Sequence, residues 1–135
     1  LSYAGIKSLN IDKEISEIFS VNEIIPSAGQ GIIALQCRQN DKEIISLLKN
    51  INDHETYTMA QAERNILKVL EGDCETAIGA HAEINNGKII IEAELFSLDG
   101  KRYYERKISS VEKAKELGIE IGKILKKKSK NSYKK

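Results

Sequence analysis

A chain of 135 residues with 41% hydrophobic and 30% charged residues and a net charge of +1 has the make-up of a globular protein, long enough for one ordinary domain and an appendage. The absence of any run of about 18 apolar residues excludes a membrane-spanning helix, and Leu1 to Gly5 has no basic region ahead of an apolar stretch, so no signal peptide is visible. Two cysteines, Cys37 and Cys74, with no Cys-x-x-Cys spacing, argue against a disulfide framework and for a reducing, cytoplasmic compartment.

Residues 1–9 read as the end of a helix, and because Leu1 falls inside an apolar pattern the expectation is a chain cut from something longer. Asp12 suits an N-cap for a short helix over 13–19, with Ile15, Ile18 and Phe19 on one face. Ile24-Ile25-Pro26 is extended, since the residue before proline is pushed out of the α region. The small-residue turn Ser27 to Gly31 leads into Ile32 to Arg38, a mostly apolar run that reads as a buried strand crossing between two domains, one of them missing. Asp41 caps the next helix, which ends near Asn50. A further helix runs from 54–58 to Glu71, with Met59, Ala62, Ile66, Leu67 and Leu70 at spacings of three and four, and Gly72 stands where a helix stop is expected.

Three strands follow. Alternation of Ile78, Ala80, Ala82 and Ile84 predicts a strand over 76–84, and Asn85-Asn86-Gly87 predicts a tight hairpin into a second strand over 88–96. Leu98-Asp99-Gly100 turns the chain into a third strand over 101–108, and Val111 to Leu125 is an amphipathic helix able to cover the oily face. Residues 39–128 therefore predict an α+β, two-layer fold: a three-stranded antiparallel sheet covered on one face by helices, preceded by a fragment of another domain. The last ten residues hold six lysines and no acid, and residues 129–135 read as a disordered basic tail.

Cys74 is the natural candidate for chemistry. A lone cysteine is most often a small buried hydrophobe, yet this one follows a helix stop in a loop. Glu71, Asp73 and Glu75 surround it in sequence and disfavour a thiolate, as does a helix C-terminus. Such a thiol suits a one-time bond to a strong electrophile better than repeated nucleophilic catalysis. His54 and His81 form no metal-ligand spacing, so no metal site is expected, and the turn at 27–31 lacks the Lys-Ser/Thr of a P-loop. Arg38 ends an apolar run, where its charge calls for either a structural ion pair or a bound anion. Glu63 and Arg64 read as paired elsewhere or simply solvated.

The run Pro26 to Arg38, with Gly29-Gln30-Gly31 and Gln36-Cys37-Arg38, resembles a segment of the porphobilinogen deaminase (hydroxymethylbilane synthase) family. His54-Glu55-Thr56, Ala62-Glu63-Arg64, Ala4-Gly5-Ile6-Lys7 and Leu70 to Ala80 around Cys74 resemble further stretches of that family, in matching order. The resemblance implies a thioether from Cys74 to a dipyrromethane cofactor. It also implies a porphobilinogen substrate, polymerised in four units with loss of ammonia into hydroxymethylbilane, and an inter-domain hinge at Gln30 and Gly31. Arg38 would bind a carboxylate of cofactor or substrate. It further implies that 1–25 ends the second domain, 26–38 is hinge and return strand, and 39–128 is the cofactor-attachment domain. The catalytic residues would lie in N-terminal domains absent from this chain, which alone would be inactive, and the whole would be a cytoplasmic monomer. Ser8, Gln36, Asp73 and Ala77 depart from the family pattern and leave Cys74 intact. The competing expectation is a non-catalytic α/β module binding RNA or protein through its basic tail. A sheet without interleaved aromatics and a net charge near zero weigh against it.

Overall fold

The computed structural model describes residues 2–72 and 75–134. Its helices are α1 (Tyr3–Ser8), α2 (Lys42–Lys49), α3 (His54–Leu70) and α4 (Ala114–Ser129), and its strands are β1 (Ile78–Asn85), β2 (Lys88–Phe96) and β3 (Arg102–Ser110). The strands form one antiparallel sheet in the order β1-β2-β3. Asn86 and Gly87 both take positive φ (51° and 72°) between the paired Asn85 and Lys88, the geometry a two-residue hairpin needs to follow strand twist.

Alternation along the strands decides which face is covered. Ala80 and Ala82 on β1 and Ile89, Ile91, Ala93 and Leu95 on β2 are buried beneath the helices. On the opposite face the register sets Glu92 beside Arg106, closed at 2.6 Å, while Glu94 reaches Arg102 at 2.8 Å. Helix α3 begins at Asp53, whose carboxylate accepts the Thr56 amide at 2.7 Å, and sends Ala62, Ile66 and Leu70 into the core at intervals of one turn. Helix α4 answers with Leu117, Ile121 and Leu125. The two helices meet closely because α4 carries Gly118 and Gly122 at the contact. A Cβ at Gly118 would stand 2.2 Å from the Ala62 carbonyl oxygen, and one at Gly122 would stand 2.8 Å from Val69 Cβ.

The two-layer α+β architecture is the one expected, with several local corrections. The helix expected over 13–19 is a single 3-10 turn, Asp12–Glu14; it lacks a side-chain cap, and Ile18 and Phe19 lie exposed, so no packing rewards a longer helix. Ile32 to Arg38 is not a strand, because no neighbour pairs with it among the described residues, and Ile33 is 88% exposed. Helix α2 forms under its Asp41 cap but buries none of its side chains, so α3 and α4 alone make the helical layer. The left-handed residue that ends α3 is Glu71 (φ 54°), not Gly72.

The tail departs most from expectation. Helix α4 continues to Ser129, and left-handed Lys130 and Asn131 (φ 51° and 60°) then bend the chain back onto the domain. Tyr133 is only 4% exposed and belongs to the core. A buried aromatic among the lysines, whose hydroxyl finds a partner, explains why residues up to 134 pack rather than trail into solvent.

The segment before α2 touches the sheet at one place. Ile25 is buried, and the Pro26 carbonyl accepts the Ala80 amide at 2.8 Å along the outer edge of β1. Gly79 permits this approach, since a Cβ there would lie 2.5 Å from the Ile25 carbonyl oxygen.

Candidate functional site

The loop between α3 and β1 is positioned by the way α3 ends. The Gly72 amide bonds the Leu67 carbonyl and the Glu71 amide the Lys68 carbonyl, each at 3.3 Å, the paired closure of a Schellman motif. The Val69 carbonyl accepts Lys126 Nζ at 3.2 Å, and the Leu70 carbonyl accepts the Tyr133 hydroxyl at 2.9 Å. Residues 73 and 74 lie outside the described residues, and with them Cys74 itself. On either side, Glu71 and Glu75 are exposed, so the described ends of the loop sit at the domain surface.

Electrostatics at the loop's base differ from what an acidic sequence suggests. The Glu71 carboxylate is bonded by Lys134 Nζ at 2.6 Å and Lys126 Nζ at 3.1 Å. These two bonds and the charges behind them bring its pKa down to about 2. Two ammonium groups on one carboxylate leave a net positive charge where sequence alone counts a negative one. Lys128 pairs with Glu105 in the same way, so three lysines of the basic run are engaged within the domain. The basic patch on which an RNA-binding reading depends is correspondingly reduced.

The turn at 27–31 is a second constructed feature. The Gln30 amide bonds the Ser27 carbonyl at 2.9 Å and the Ile32 amide the Gly29 carbonyl at 3.1 Å, while Gly29 and Gly31 take φ of 76° and 79°, which glycine adopts without strain. Gln30, Gly31 and Arg38 are all exposed. Arg38 therefore carries no buried charge, and among the described residues its guanidinium has no ion-pair partner; of its two readings, the structural ion pair is absent there. None of the three is bonded to Glu71 or Gly72.

What holds the turn is Glu63, read from sequence as solvated or paired. Its side chain is buried, with one carboxylate oxygen accepting the Gly29 amide at 2.7 Å and the other the Ala82 amide at 2.8 Å. Burial pushes its pKa up, against the pull of those two bonds and of His81. One carboxylate thus ties turn, helix and edge strand together. Its position among Ala62 and Ile66, on the apolar stripe of α3, was the available signal that it points inward.

A two-layer α+β domain, joined through a glycine turn to a segment that contributes little to its core, defines this protein's class: a carrier domain with an inter-domain joint. The family follows from sequence comparison. Residues 57–127 match the family model described as "Porphobilinogen deaminase, C-terminal domain", and residues 1–46 match "Porphobilinogen deaminase, dipyromethane cofactor binding domain". The chain belongs to the porphobilinogen deaminase family, the hydroxymethylbilane synthases, which are transferases of tetrapyrrole biosynthesis with a dipyrromethane cofactor. It is 40% identical over 126 residues to the porphobilinogen deaminase of Desulforamulus reducens, covering 93% of this chain and 41% of that one. Identity is 39% to the enzyme of Chloroherpeton thalassium (90% and 40% covered) and 37% to that of Coxiella burnetii (93% and 41%). The chain thus spans about two fifths of the length of these curated relatives. Gln30, Gly31 and Arg38 fall within the model named for cofactor binding, and Cys74 within the C-terminal one.

The described surroundings fit a tethered, carboxylate-rich group. A thioether needs a thiol on an open surface, and the residues flanking the loop's centre are exposed. Lys126 and Lys134 add cationic donors at its base.

Proposed function

We propose that this chain is the primer-carrying part of a hydroxymethylbilane synthase, with Cys74 as the thioether anchor of dipyrromethane. The observation that carries this reading is the C-terminal family match, which includes the Leu70 to Ala80 stretch around Cys74, together with the exposed residues on either side of that cysteine. When attached, the group supplies the pyrrole end to which porphobilinogen units are joined with loss of ammonia. This chain's residues hold the tether, place its loop and carry the joint. Gln30 and Gly31 provide the turn, latched by Glu63, and Arg38 offers an uncommitted guanidinium to a pyrrole carboxylate.

The remaining partners in this reading are the N-terminal domains of the same protein, which would bring the catalytic groups. Exposed Ile18, Phe19, Ile24, Ile33 and Leu35, all within residues 1–38, support a covering partner for that segment. A cytoplasmic monomer completes the proposal; sparse cysteine usage supports the compartment.

Intact-mass measurement tests the anchor. The full-length protein incubated with porphobilinogen should gain the mass of a dipyrromethane, Cys37→Ser should keep that gain, and Cys74→Ser should lose it. An adduct that persists in Cys74→Ser ends the proposal.

A further inference from the structure

We infer that the C-terminal segment, residues 126–134, is a positioning element for the loop that bears Cys74, because it completes the helix end from which that loop departs. The inference rests on the anchor role proposed for Cys74. An α-helix leaves four carbonyls without partners of its own at its C-terminus. In α3 the first two are taken locally, by Gly72 and Glu71. The other two are taken by Lys126 and Tyr133, which lie 57 and 63 positions further along the chain from the carbonyls they bond. Half of the cap is therefore tertiary, and its hydroxyl bond is buried.

The capping segment is itself fixed. Tyr133 is packed in the core, Ser129 is buried, and the Ser132 carbonyl accepts the Leu98 amide at 3.0 Å, tying the segment to the β2–β3 turn. Lys126 and Lys134 then hold the carboxylate of Glu71, the left-handed residue at which α3 stops. Residues 71 and 72 are thereby held from two sides, and chain connectivity keeps residue 74 within about 11 Å of residue 71. The segment beyond 127 lies outside the stretch matched by the C-terminal family model, so the device is read from this chain's own contacts.

Three readouts on the cofactor-free, full-length protein test this. Tyr133→Phe keeps the ring and removes the bond to Leu70. It should raise hydrogen exchange at the Glu71 and Gly72 amides roughly five- to tenfold while leaving β2 unchanged. Lys126→Gln with Lys134→Gln leaves Glu71 uncompensated, which should move the pH midpoint of iodoacetamide alkylation, read on the Cys74 peptide by mass spectrometry, up by about half a unit. Lys126→Gln with Lys134→Arg should recover part of that shift. Adduct formation after addition of porphobilinogen should slow severalfold in Tyr133→Phe and in the double variant. Wild-type exchange, alkylation profile and adduct rate in both would overturn the inference. A wild-type protein that forms no adduct at Cys74 would sink the anchor reading instead, and the exchange and alkylation results would still decide whether the segment governs the loop.

Discussion

Glu71 shows how a single side chain changes meaning between sequence and structure. In sequence it is one of three acids around a cysteine; in the fold it is a carboxylate under two ammonium groups, with its backbone in the left-handed region. Its pKa falls from the ordinary 4.5 to about 2 because its charged form gains hydrogen bonds from Lys134 and Lys126. The folded chain therefore releases this proton more readily than the unfolded one. The stabilisation is fully present above pH 4.5 and is lost as pH falls towards 2. Thermal melts of Glu71→Gln should accordingly lie below wild type at neutral pH, and the gap should close across that acid window. A gap that stays constant down to pH 2 would show that the lysines do not hold the carboxylate in solution.

Among the elements, those governed by short-range pattern were legible. The second strand begins and ends where the alternation from Lys88 to Phe96 does, and the hairpin sits on Asn86-Gly87 because those residues tolerate positive φ. Helix α3 follows its stripe of Met59, Ala62, Ile66 and Leu70 from an Asp53 cap. Features set by distant partners were not legible. Nothing near Tyr133 in sequence says that its hydroxyl will meet Leu70, and nothing near Glu63 says that Gly29 will reach it. The run Ile32 to Arg38 has a strand's composition, but a strand needs a neighbour and composition does not supply one. Of the candidate site, the turn and the loop could be placed from sequence, whereas the groups that hold them could not. The glycines of α4 belong with the illegible features, since Gly118 matters only once Ala62 is known to face it. Gly118→Ala should improve helix propensity by about 1 kcal/mol in isolation. In the fold its methyl meets the Ala62 carbonyl oxygen, so the net effect should be destabilisation by roughly 1–3 kcal/mol, measurable by urea denaturation.

For the molecule as a whole, the joint between residues 1–31 and the two-layer domain runs through one carboxylate and one carbonyl. Glu63 accepts two amides with two oxygens, whereas glutamine would present one oxygen and a donor. Glu63→Gln should therefore cost about 1–3 kcal/mol of stability by leaving a buried amide unpaired. Burial raises the Glu63 pKa above its ordinary 4.5, so its contribution is greatest below that pH and declines as pH rises through the folded value. The wild-type advantage over Glu63→Gln in chemical denaturation should shrink in that direction. The same two acceptors have another consequence. Pro26 and Glu63 occupy the Ala80 and Ala82 amides, which face outward on the last strand of an open sheet. Whenever the joint opens, those amides become a template on which a foreign strand can dock. The latch that orders the linker is therefore also a guard against self-templated association, and Glu63→Gln should form concentration-dependent oligomers in sedimentation where the wild type does not.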